Sequence, residues 1–131
     1  PKQGISPYNL GVTYHQTLKD FSLSEKFYKQ AISRDPQNQL GYLGLHELYR
    51  YAYKQDSSAA IDIILSGMQV LPEEPNLPIA LAAYHRDATK NYSESIKYIL
   101  IAKDLVLSLG DQQKAETLDQ EAKRLEDLLP E

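Results

Sequence analysis

Three histidines, His15, His46 and His85, are the side chains of this chain best suited to bind a metal or move a proton near neutral pH. A metal site would need them to converge with carboxylates such as Glu47 or Asp87. Neither an HExxH run nor a pair of histidines at i, i+4 occurs. Each histidine falls in a separate helical segment. Packed helices lie roughly 8–10 Å apart, so the first and third histidines are too far apart to share an ion. Cysteine is absent, which removes thiolate ligands, redox pairs and thiol nucleophiles. No serine stands in a GxSxG context, and no glycine-rich loop opens a helix. No acidic pair faces a readable apolar pocket. Asn91-Tyr92-Ser93 is formally a glycosylation sequon, placed in a turn. These residues predict no enzyme activity, no metal and no cofactor.

Charge narrows the partner. Of the 18 acidic and 14 basic residues, 7 and 3 fall in residues 111–131, which leaves 11 of each before them. The net charge of −4 therefore belongs to the last segment, and the neutral body offers no basic face to a phosphate backbone. Nucleic acid is not an expected partner. The apolar runs, such as residues 98–102, are far shorter than the roughly 20 residues a membrane helix needs, so no direct insertion is expected. No charged-then-apolar leader opens the chain. The first residue is Pro, which fits a segment trimmed from a larger or membrane-anchored protein. The lack of cysteine favours the cytoplasm without establishing it.

The elements that would position any site repeat along the chain. Ser24 and Ala60, Tyr28 and Ile64, Ala31 and Gly67, Ile32 and Met68, and Pro36 and Pro72 are all 36 residues apart. Ser95, Ile99 and Ala102 follow 35 residues beyond Ala60, Ile64 and Gly67. A fixed separation of this kind marks a repeat architecture. A second helical pattern precedes each of these segments, over residues 7–19, 39–54 and 76–90. Ser6 before Pro7 reads as an N-cap. Ser22 with Glu25, and Asn91 with Glu94, have capping-box spacing. Pro36 and Pro72 stop the second helices. Residues 48–54 (LYRYAYK) alternate like a strand, but Tyr42, Leu45, Tyr49 and Tyr53 continue a helical stripe, and a helix is predicted there. After Gly110, Asp111 caps a last helix reaching about Leu128, with Ala115, Leu118, Ala122, Leu125 and Leu128 as its apolar stripe.

This pattern resembles the tetratricopeptide repeat. The first copy carries it best, with Leu10, Gly11, Tyr14, Phe21, Tyr28, Ala31 and Pro36. The second keeps Tyr42, Leu45, Tyr49, Ala60 and Pro72, but puts His46 where a small residue ordinarily lets the two helices approach. The third keeps Leu81, Ala82, Tyr92 and Ala102 and lacks the closing proline. The resemblance covers about residues 4–110. It implies one all-α domain over residues 1–131, a right-handed superhelical solenoid of three antiparallel hairpins (about 4–38, 39–74 and 75–110) plus a capping helix (111–129), seven helices in all. Such a motif specifies fold more than function, and a solenoid needs a polar-faced cap.

The resemblance also implies a concave face lined by the first helices, and a protein–protein interaction role. Its groove residues would be Ile5, Tyr8, Val12 and His15 in the first copy. Leu40, Leu43, Glu47, Arg50 and Tyr51 would follow in the second, and Ile79, Ala83, Arg86 and Asp87 in the third. The apolar members form a track beside a charged strip, which suits an amphipathic helix or an extended peptide with apolar anchors. Some family members hold the C-terminal carboxylate of heat-shock chaperones in a clamp of Lys, Asn and Arg. The matching positions here are Tyr8, Val12, Gly44, Asn76 and Ala80, none of them basic, so that partner is not expected. The alternative is an assembly role, in which the same track packs against a missing N-terminal segment or a second copy.

Overall fold

A computed structural model describes residues 5–54 and 56–130. Among them the chain is all-α, with seven helices and no strand. Helix α1 (Pro7–Val12) runs on as a π-helical turn (Thr13–Thr17) and is followed by α2 (Phe21–Arg34). Helix α3 (Gln39–Glu47) continues as a second π turn (Leu48–Ala52) before α4 (Ser57–Val70). Helix α5 (Asn76–Tyr84) does the same (His85–Thr89), and α6 (Tyr92–Ser108) and α7 (Gln112–Glu126) complete the order. The chain groups into two compact units, Pro1–Pro72 and Glu73–Glu131. No helix among the described residues is long and apolar enough to cross a membrane.

In the first unit, α1 packs on α2, α3 on α4, and α3 also lies against α2 and α1. Its core is Tyr28, Tyr42, Leu45, Leu48, Tyr49, Ala60 and Ile64. Tyr28 is the pivot. A Cβ at Gly11 would stand 2.6 Å from the Tyr28 ring, and one at Gly44 would stand 2.5 Å from it. The ring thus lies between the backbones of α1 and α3, at places where only glycine leaves room. Tyr14 of the first copy is half-buried and stacks on Phe27 with ring centroids 5.5 Å apart.

In the second unit, α6 is packed between α5 and α7. Leu77, Leu81, Ile96, Ile99, Ala102 and Val106 are buried, as are Ala115, Ala122 and Leu125 of α7. The remaining faces of α7 carry exposed Lys114, Glu116, Lys123 and Arg124. The helix stops at Glu126, earlier than its apolar stripe implied, and Leu128 is 50% exposed.

Local chemistry explains the boundaries. Ser6 Oγ accepts the Asn9 N–H at 3.1 Å, with Pro7 at the first helical position. Helix α2 starts at Asp20, which accepts the Leu23 N–H at 3.2 Å; Ser22, the expected cap, lies inside the helix. The reason is Lys19, whose left-handed backbone (φ 58°) turns the chain early enough for Asp20 to take the cap. Asn91 and Asp111 cap α6 and α7 as expected, and Gly110 (φ 85°) ends the preceding helix.

The π turns were not anticipated. In each, an amide reaches the carbonyl five residues back: Leu18 to Thr13 at 3.0 Å, Tyr53 to Leu48 at 2.7 Å, and Lys90 to His85. Of the strand-like stretch at residues 48–54, Leu48–Ala52 forms one of them, helical but wider than an α-helix, whereas the helix predicted to 54 ends sooner: Tyr53 is extended and Lys54 is left-handed (φ 67°).

Candidate functional site

The predicted groove residues are neither core nor uniformly exposed. In the first unit, Ile5, Leu40 and Tyr51 are 66%, 41% and 61% exposed, while Tyr8, Val12, His15, Leu43 and Arg50 are half-buried and Glu47 is exposed. Spacings of three and four residues set Tyr8, Val12 and His15 along one face of α1 and its π turn. The same spacing aligns Leu40, Leu43, Glu47 and Arg50 along α3 and its own turn. Tyr8 and Leu43 are therefore less exposed than a free groove wall would be. Tyr8 leans on the Tyr28 ring at 5.9 Å between centroids.

Two observations bring the α1 and α3 residues together. A cleft of about 350 Å³ is lined by Pro7, Tyr8 and Asn9 of α1, by Leu40 and Gly41 of α3, and by Ala31, Arg34, Asp35 and Asn38. Further along, the charge of Glu47 on α3 reaches His15 on the α1 side. Burial pushes the His15 imidazole below the ordinary histidine range; Glu47 opposes this in part, and Lys19 adds to it. His15 Nδ1 lies 3.4 Å from the Tyr28 hydroxyl. Burial, with the charges of Tyr8 and Glu47, pushes the Tyr28 phenol up to about 12. It is neutral at any physiological pH and works as a packing ring with a polar tip. Arg50 stacks on Tyr51, its guanidinium carbon 4.7 Å from the ring centroid, which holds that exposed aromatic in place.

Ile79, Ala83, Arg86 and Asp87 belong to the second unit, where α7 takes up their face. Ile79, Ala83 and Arg86 line a small gap of about 80 Å³ whose far wall is Leu118 and Glu121. Arg86 grips Asp87 through Nε (2.7 Å) and Nη2 (2.8 Å), and reaches Glu121 through Nη1 at 3.3 Å. The Asp87 hydrogen bonds outweigh burial, Glu121 assists, and together they raise the affinity of the guanidinium for its proton. In this unit the predicted strip is committed to the chain's own carboxylates.

Sequence reasoning passed over Arg34, Asp35 and Asn38. Arg34 ends α2, and Asp35 and Asn38 lie in the link between hairpins, which the repeat pattern treats only as a break, yet all three line the cleft. The polar pattern around Pro36 was the available signal.

The histidines are packing residues. His46 Nδ1 donates to the Ala60 carbonyl at 2.8 Å, and His85 Nδ1 lies 2.9 Å from Thr89 Oγ1 within its own π turn. Comparison with known proteins adds no assignment: no protein-family model matches the chain, and no curated protein does.

Proposed function

We propose that this chain is a protein–protein interaction module of the tetratricopeptide type, built of three hairpins that follow one another as solenoid repeats. The α1–α3 face of the first unit would bind a peptide or helix of a partner protein through apolar anchors. What supports the reading is a 350 Å³ cleft lined by Tyr8 of α1 and the exposed Leu40 of α3, together with the exposure of two further apolar residues of the expected track, Ile5 and Tyr51. Exposed apolar side chains collected in this way mark interaction surfaces more often than isolated ones do. Tyr28 and its two glycines fix the spacing of the helices beneath, so the surface is preorganised, which limits the ordering cost of binding.

The test is panning of a random peptide display library on the full chain, beside Leu40→Glu and Tyr51→Glu variants. Both positions are exposed, so their melting temperatures should match the parent. The parent should enrich peptides with apolar residues at helical or alternating spacing, and each variant should lose at least about tenfold, since anchors of this type dominate interface energy. Enrichment indifferent to both changes would place binding elsewhere. Micromolar self-association abolished by the same changes would assign the face to a second copy instead.

A further inference from the structure

The cleft of the first unit differs from the gap of the second in what its cation does. Arg86 is held by Asp87 at 2.7 and 2.8 Å and by Glu121 at 3.3 Å. Arg124 is held by Glu121 at 3.0 and 2.8 Å. Arg34, in the last turn of α2, is exposed and lines the α1–α3 cleft. It makes no hydrogen bond or ion pair with any described residue. Asp35 follows it directly and lines the cleft too, but consecutive side chains do not face each other, and the two are not paired.

The neutral polar groups of the lining also turn donors outward. Ser6 Oγ accepts the Asn9 amide at 3.1 Å, and Asn38 Oδ1 accepts the Leu40 amide at 2.9 Å. Capping in this way occupies the Asn38 oxygen and leaves the two Nδ2 protons for a partner; Ser6 keeps its hydroxyl proton. Arg34 is donor only, with five N–H groups in a planar fork. Asp35 is the one carboxylate among the described residues of the lining.

We propose that the cleft, given that this face binds peptides, selects a peptide in which an acidic side chain stands next to an apolar anchor: Arg34 reads the carboxylate while Tyr8 and Leu40 hold the anchor. A carboxylate brought to Arg34 forms the kind of bidentate pair that Arg86 makes with Asp87 inside the second unit. The apolar walls of Pro7, Tyr8 and Leu40 exclude water beside the pair and strengthen it. Asp35 restricts the match to one acidic group, because a second would meet its charge. A cation in the last turn also suits the dipole of α2, but a dipole role alone is indifferent to the partner's charge.

Panning of a random peptide display library on the full chain separates the two. Enriched peptides should carry Asp or Glu within one helical turn of an apolar residue, and panning on Arg34→Glu should replace that preference with Lys or Arg. For one peptide enriched by the parent, changing its acidic residue to the amide should weaken binding to the parent about three- to tenfold. On Arg34→Gln the acidic and amide peptides should bind alike. Apolar-anchored peptides without an acidic preference, a preference that survives in Arg34→Glu, or an equal loss on Arg34→Gln would overturn the proposal and leave the peptide-binding face standing. No enrichment at all, or enrichment indifferent to Leu40→Glu, would overturn both. Should Arg34→Glu fail to fold, the acidic and amide peptides on Arg34→Gln decide alone.

Discussion

The Tyr49 hydroxyl donates to a Glu25 carboxylate oxygen at 2.6 Å, joining the π turn after α3 to the second turn of α2. Lys54 Nζ completes the group at 3.2 Å from the same oxygen. Burial pushes the Glu25 carboxyl up, but the hydrogen bonds from Tyr49 and Lys54 and the charges of Lys29 and Lys54 outweigh it and hold the carboxyl below the usual glutamate range. Tyr49→Phe removes the shortest of these contacts and should cost ~1–2 kcal/mol in urea unfolding at pH 7, as expected for a hydrogen bond to a charged group. The folded pKa is depressed, so this stabilisation is present above the unfolded value of about 4.3 and disappears as pH falls through the folded one. The gap between Tyr49→Phe and the parent should therefore narrow below about pH 4. A gap independent of pH would mean that the two side chains do not interact.

Much of the fold could be read from the 35- and 36-residue spacing because each matched position does one packing job. Tyr28, Leu45, Ile64 and Ala102 are buried as the repeat requires, and Ser6, Asn91 and Asp111 cap the helices they precede. The misreadings have specific causes. A π turn has no residue signature, because the extra residue is absorbed by backbone hydrogen bonding alone. Leu128 matched the stripe of α7, but the helix ends two residues before it. The site was legible as a face and not as an environment. Periodicity placed Arg86 on the polar strip, in what proves to be the π turn after α5, and only three-dimensional packing shows that Glu121 of α7, 35 residues on, joins Asp87 in taking up its charge.

Gly44 tests the spacing of α1 and α3. A methyl group there would stand 2.5 Å from a Tyr28 ring carbon, inside van der Waals contact, and the ring is held on its other side by Gly11. Gly44→Ala should destabilise the chain by ~1–3 kcal/mol through overpacking, despite the better helix propensity of alanine. Tyr28→Leu in the same chain should recover part of that loss by shortening the obstructing side chain. Non-additivity in a thermal-unfolding cycle is the readout; simple addition of the two effects would mean that the ring moves aside freely.

Lys19, Lys54 and Lys90 all carry left-handed backbone angles, φ 58°, 67° and 57°, at the turn between first and second helices. A side chain pays nothing back for that conformation unless it bonds elsewhere. Lys54 does, with Glu25 and over the ring of Tyr53. Lys90→Gly should raise stability by ~0.5–1 kcal/mol, because glycine occupies this region without steric cost. Lys54→Gly should bring no comparable gain, since the loss of the Glu25 contact offsets it. Melting temperatures of the two variants, compared in one buffer, separate relief of strain from a general effect of glycine.

The last helix gives a contrast between two leucines three residues apart. Leu125 is fully buried, and Ala115 and Ala122 lie on the same face of α7. Leu128 lies beyond the helix end and is half exposed. Leu125→Ala removes a buried isobutyl group from a site walled by α6 and should cost ~2–5 kcal/mol, a large share of the ~5–15 kcal/mol typical of a domain. Leu128→Ala should stay within about 0.5 kcal/mol of the parent. Urea midpoints decide the matter. If the two variants lose stability equally, the stripe of α7 extends past Glu126 into contact with the body of the unit. If neither does, α7 is not held against α6 in solution.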